Sequence, residues 1–157
     1  MTKPLVVDQS RTIAMGQESV FGDMVPMPLP ELFRRWYGPI PPIKETRNQT
    51  GDWDAVGQSR TVVLVGGGSM QERLTRFDAP HSFGYTLSEV KGPLSPLVDH
   101  VDGEWIFEPI GAGTNVTWRW TIYPRSGLTA FLLPVFGKLW KGYARQSLEE
   151  LSRQLVG

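Results

Sequence analysis

Few side chains in this chain can move a proton, and their spacing limits what they can do. The imidazoles of His81 and His100 exchange protons near neutral pH. His81 lies between Pro80 and Ser82, and His100 follows Asp99, which places both in loops at strand entrances. Adjacency of His81 and Ser82 does not build a nucleophile relay, because the imidazole must be aimed at both the hydroxyl and a buried acid. Both histidines read as surface hydrogen-bonding groups. Glu72 and Arg73 are neighbours on a strand and face opposite sides, so only one looks inward. Glu72 reads first as a solvated strand carboxylate; if buried, it would anchor the polar end of a ligand or act as a base. Tyr85 offers a hydroxyl that can meet a ligand carbonyl or phenol, or close a structural hydrogen bond. Arg119 alternates away from Trp118 and Trp120, and so belongs to an outer face.

Other chemistries lack their parts. Cysteine is absent, which excludes disulfides, a thiol nucleophile and thiolate metal ligands within the sequence. Two separated histidines among scattered acids do not make a zinc pattern, and no metal or cofactor is expected. Gly66-Gly67-Gly68 suggests a phosphate loop, but a strand follows it and no Lys-Ser or Lys-Thr completes it, so a turn is the better reading.

The groups best placed to bind something are aromatic. Phe83, Tyr85, Trp105, Phe107, Trp118 and Trp120 fall at alternate positions of strand-like runs, and Phe136, Trp140 and Tyr143 lie on the apolar stripe of the last segment. Together with Glu72 they form the candidate ligand-binding set. They would wall a cavity for a flat apolar compound, or else form an ordinary solid core.

The elements that must position them follow from periodicity. Residues before about Arg11 read as a flexible or edge-bound arm, and Arg11 to Val25 as β-compatible pieces broken by Gly16 and Gly22. Leu29, Leu32, Phe33 and Trp36 predict a short helix stopped by Gly38-Pro39, with a short strand at Ile43 to Arg47. Hairpins are predicted for Arg60–Val65 with Ser69–Phe77, and for Asp102–Glu108 with Thr114–Tyr123. Pro124 ends the last strand, Ser126 is placed to cap a first turn, and Pro134 bends that segment or begins a new helix running to Leu155. Gly142 inside that helix predicts close packing or space for a ligand. Trp53, Asp54 and the Lys91–Val98 loop are candidates for a gate, with Leu94, Pro96 and Leu97 as an apolar lip.

The 157 residues fit one domain. Sixteen basic and sixteen acidic residues cancel without forming blocks, which argues against nucleic acid or a strongly anionic membrane as the main partner. Thr129 to Val135 is too short to span a bilayer, so no stable membrane insertion is expected. The mixed first residues lack the form of a secretory leader, and the expected setting is cytoplasmic. Neither a monomer nor a homodimer is selected.

Pro28-Leu29-Pro30-Glu31-Leu32-Phe33 leading to Trp36, Trp53-Asp54-Ala55-Val56-Gly57, Arg60 to Gly68, Glu72-Arg73-Leu74, Phe83-Gly84-Tyr85, Gly113 to Trp118 and the helix ending at Leu155 occur in an order that resembles the START-like helix-grip (SRPBCC) superfamily, in its polyketide cyclase/dehydrase and lipid-transport branch. The resemblance runs from about Val20 onward. It implies an α+β fold in which a curved antiparallel sheet wraps a long C-terminal helix, with short helices near the N-terminal third, and leaves a hydrophobic cavity. It implies binding, transport or sensing of a small hydrophobic or aromatic ligand, lipid or polyketide-like. The alternatives it carries are a cyclase or dehydratase acting on such a molecule and an interaction adaptor of chaperone-activator type.

Overall fold

The computed structural model describes residues 3–157. Seven strands form one antiparallel sheet: β1 (Leu5–Ile13), β2 (Ile43–Arg47), β3 (Ser59–Leu64), β4 (Ser69–Asp78), β5 (Ser82–Lys91), β6 (Val98–Ile110) and β7 (Gly113–Pro124). Their order is β1-β7-β6-β5-β4-β3-β2, so β2 to β7 form a meander and β1 closes onto β7 at its far side. The helices are α1 (Gln17–Met24), α2 (Leu29–Leu32) and α3 (Leu133–Val156), with a 3₁₀ turn at Thr129–Leu132 before α3.

The register turns alternating sequence into one apolar face. Trp105 pairs with Trp118 and Gly103 with Trp120 across β6 and β7, while Phe83 and Tyr85 on β5 face Trp105 and Gly103. Trp105, Phe107, Val116, Trp118, Trp120 and Ile122 are all buried on the concave side. Arg119 lies on the outer side, where it bonds Glu104 and Asp8. Gly66 and Gly67 sit at φ +95° and +97°, the left-handed geometry that the tight β3–β4 turn needs and that a side chain would strain.

Helix α3 crosses the concave face and buries Trp140, Ala144, Leu148 and Leu151 against it. Pro134 falls in its first turn, where the missing N–H costs nothing, so this proline begins the helix. Ser126 and Thr129 exchange backbone and hydroxyl hydrogen bonds at the turn before it. Gly142 is a close approach: a Cβ there would collide with the Tyr37 ring.

Two local expectations are corrected. Gln17 to Met24 is helical, because Val20, Phe21 and Met24 bury one helical face beneath the sheet's far end, and tertiary packing overrides the strand-like composition. The helix expected to reach Trp36 ends at Leu32; Phe33 leaves helical geometry at ψ 67° and its carbonyl receives the Ile43 N–H at the start of β2. No helix among the described residues is long and apolar enough to cross a membrane.

Candidate functional site

A cavity of about 330 Å³ lies between α3 and the sheet, within the usual range of small-molecule sites of roughly 300–1,000 Å³. The sheet supplies Phe83, Tyr85 and Leu87 from β5, Trp105 from β6, and Trp118 and Trp120 from β7. Helix α3 supplies Phe136, Trp140 and Tyr143, and the side walls come from Phe33, Val62, Leu64 and Met70. Trp36, 53% exposed, and Val65, 37% exposed, mark the rim together with Pro93 and Leu94. This end of the sheet gathers the β3–β4 turn, the β5–β6 loop and the start of α3.

Nine of the ten residues proposed from sequence line this space; Phe107 does not. It is buried past the cavity, edge-on to Phe21 at 5.1 Å, because α1 fills the sheet's far end. The histidines lie outside the cavity lining. His81 is exposed beside Gln17, and His100 bonds Asp99 at 2.7 Å and stacks on Tyr123. Trp53 is 1% exposed, too deeply seated to gate an opening. Among the lip candidates, Leu94 and Leu97 both pack against the core, and Leu94 also lines the rim.

Glu72 departs from the solvated reading. Its side chain is 6% exposed and bonds the Arg60 guanidinium at 2.7 Å; Arg60 itself is 7% exposed. Both line the cavity. Desolvating two ions is costly, and each survives because the other compensates it. Arg60 was missed from sequence, although a signal existed: counting back from the glycine turn pairs Arg60 with Glu72 across the hairpin. The guanidinium lies 3.9 Å above the Trp53 ring, a cation–π contact that seats it from below. Trp53 holds φ +60°, a left-handed backbone for a bulky residue, with its indole buried beneath Arg60.

Tyr85 is the other polar centre. Its hydroxyl oxygen accepts hydrogen bonds from Trp118 Nε1 at 2.7 Å and Trp120 Nε1 at 3.0 Å. Gly103 makes this possible, since any Cβ there would occupy the space of the Tyr85 ring as it crosses β6 toward β7. Burial pushes Tyr85 ionisation well above the ordinary phenol range, and the charge of Glu72 adds to this against the two indole bonds. The phenol therefore stays neutral at every physiological pH. Tyr143, also raised by burial, donates to the Pro41 carbonyl at 3.1 Å and ties α3 to the rim segment. Two buried donors have no partner among the described residues, Trp53 Nε1 and Trp140 Nε1. Three or more metal-ligating side chains do not gather anywhere among the described residues.

Fold and site together define a helix-grip domain with an internal, largely apolar chamber. The chain belongs to the family described as polyketide cyclase / dehydrase and lipid transport, whose profile it matches over residues 4–156, within the START-like (SRPBCC) superfamily. Among solved structures it is similar to Ara h 8.0201, at 13% identity with 98% of each chain covered and a TM-score of 0.69. It is also similar to major latex-like protein 151 from Panax ginseng, at 13% identity with 98% of this chain and 99% of that one covered and a TM-score of 0.67. A protein of Thermus thermophilus matches at 19% identity over 97% of each chain, with a TM-score of 0.65. At such identities the likeness is one of fold. No curated protein matches the sequence.

Proposed function

We propose that the protein reversibly binds a small hydrophobic or aromatic molecule, lipid or polyketide-like, and stores, carries or senses it. The observation that carries this reading is the apolar chamber of about 330 Å³ enclosed by α3 and walled by indole and phenyl rings. A solid core would interdigitate those rings and leave few voids larger than a water molecule. The lipid-transport branch of the family accords with this reading. A cysteine-free chain is compatible with a reducing, cytoplasmic setting. Native mass spectrometry of protein purified without detergent, followed by organic extraction, tests it. The expected result is a one-to-one adduct with an apolar compound. An adduct-free protein that also takes up no apolar dye would reject the reading.

A second reading, a cyclase or dehydratase on the same class of molecule, is favoured by one observation: Glu72, Arg60 and Tyr85 place polar groups in an otherwise apolar chamber. Such a chamber would fold a reactive chain toward a near-attack shape, with Tyr85 polarising a carbonyl as donor. Turnover of a poly-ketone substrate, lost in a folded Tyr85→Phe protein, would establish it. Binding without turnover leaves the carrier reading in place.

A further inference from the structure

We propose that the bound molecule carries a carbonyl oxygen, as a ketone or quinone does, and that the Tyr85 hydroxyl donates the hydrogen bond that recognises it. This rests on the receptacle reading above and specifies the ligand class for that same chamber.

A phenol oxygen has one hydrogen to donate and two lone pairs to accept with. Both lone pairs of Tyr85 are engaged, by Trp118 Nε1 at 2.7 Å and Trp120 Nε1 at 3.0 Å. The hydroxyl can therefore only donate, and none of the described residues accepts its hydrogen. The ring is 5% exposed and is seated over Gly103, so the group is held in place rather than swinging in solvent. Trp140, on α3, is 1% exposed and has an orphan donor at Nε1. Its ring packs at 4.8 Å from that of Trp118 and 5.5 Å from that of Trp120, so these two free donors belong to one aromatic cluster, whereas the orphan Trp53 Nε1 belongs to the ring beneath Arg60. A buried donor without a partner is unfavourable, and a ligand acceptor removes that penalty.

Each ligand class meets this cluster differently. A hydrocarbon fills the volume and leaves both donors unpaired. An alcohol brings a hydrogen of its own to a place already crowded with donors. A carboxylate brings a charge into an apolar chamber whose buried cation, Arg60, is already paired with Glu72, and whose other lining cation, Lys91, is exposed to water at the rim. A carbonyl oxygen accepts and adds no hydrogen, and its two lone pairs suit a donor from the sheet and another from the helix.

The test uses three shape-matched probes on the full chain: 2-acetylnaphthalene, 2-isopropenylnaphthalene and 1-(2-naphthyl)ethanol, titrated by calorimetry into wild type, Tyr85→Phe and Trp140→Phe. Tyr85→Phe is expected to weaken the ketone roughly five- to tenfold while leaving the alkene within about twofold. The alcohol should lose less than the ketone. Equal losses for ketone and alkene, or a larger loss for the alcohol, would overturn the proposal. A measurement on wild type alone guards against a variant that fails to fold. The carbonyl stretch of bound, isotope-labelled 2-acetylnaphthalene should fall below its value in hexane, and an unshifted stretch refutes the hydrogen bond. If all three probes bind without preference, the carbonyl proposal falls and the receptacle stands. If none binds wild type, the receptacle reading falls too.

Discussion

Arg60 and Glu72 form the costliest pair in the chamber, and their energetics differ from those of the surface ion pairs. The Arg47–Glu45 pair, with side chains 58% and 38% exposed, contributes little because water screens it. The buried pair behaves otherwise: removing one partner strands an ion in an apolar wall, typically at about 3–5 kcal/mol, whereas replacing both by apolar residues is often nearly neutral. Arg60→Met and Glu72→Leu should therefore each lower unfolding free energy by about 3 kcal/mol. The double variant should recover most of that loss, as read from urea denaturation. Additive losses would show that each side chain is held by other contacts.

At the scale of elements, the ties that hold α3 include a close approach at Gly142 and a charged anchor at Glu150. At Gly142 a Cβ would collide with the Tyr37 ring, so Gly142→Ala sets a helix-propensity gain of about 1 kcal/mol against overpacking of about 1–3 kcal/mol. The expected result is net destabilisation, reversing to stabilisation in a Tyr37→Ser background, as measured by thermal melts of the four proteins. The anchor is Glu150. Its carboxyl pKa is held down to about 2, first by the hydrogen bond from Arg153, then by Gln154, with the Arg34 charge assisting, against a desolvation that acts the other way. Gln154 also bonds the Glu31 carbonyl, and Arg34 reaches Glu150 at 3.4 Å, so the end of α3 is tied to α2 and the segment after it. Because the folded-state value lies below the ordinary 4.5, the stabilisation is complete above that pH and is lost as the pH falls toward 2. Wild type should lose stability over this window more steeply than Glu150→Gln, in urea titrations at pH 6, 4 and 2.5.

Taken as a whole, the molecule sorts adjacent and chemically alike residues into opposite roles. Leu132 is 58% exposed and Leu133 is 2% exposed, although they are consecutive leucines at the start of α3. Leu133→Ala should cost about 2–5 kcal/mol through lost burial and the cavity it leaves. Leu132→Ala should stay within about 0.5 kcal/mol. Comparable losses in the two, by urea denaturation, would mean that the start of α3 packs differently. Leu128 and Phe131 are each 81% exposed beside them, so the start of α3, which contributes to the chamber's rim, adjoins the most exposed large apolar side chains among the described residues.

Local patterning was enough to read the two hairpins, the inward row of Trp105, Trp118 and Trp120, the outward Arg119 and the stripe of α3. A period of two or of 3.6 assigns faces wherever one side must be apolar. It also marked most of the chamber's aromatic wall, because residues on the concave face of a sheet beneath a helix have few other places to go. It did not separate Phe107 from Phe83, which share the same inward face; α1 closes over the former alone, and α1 was itself hidden in a β-like stretch. Nor did it bury Glu72, since a carboxylate enters the interior only when a partner across the hairpin compensates it, and Arg60 and Trp53 come together with it only after β3 and β4 pair. The volume of the chamber and the two indole bonds to the Tyr85 oxygen were likewise set by tertiary structure. Both depend on distances between β5, β7 and α3, and such distances arise from packing elements remote in sequence, where no local period reaches.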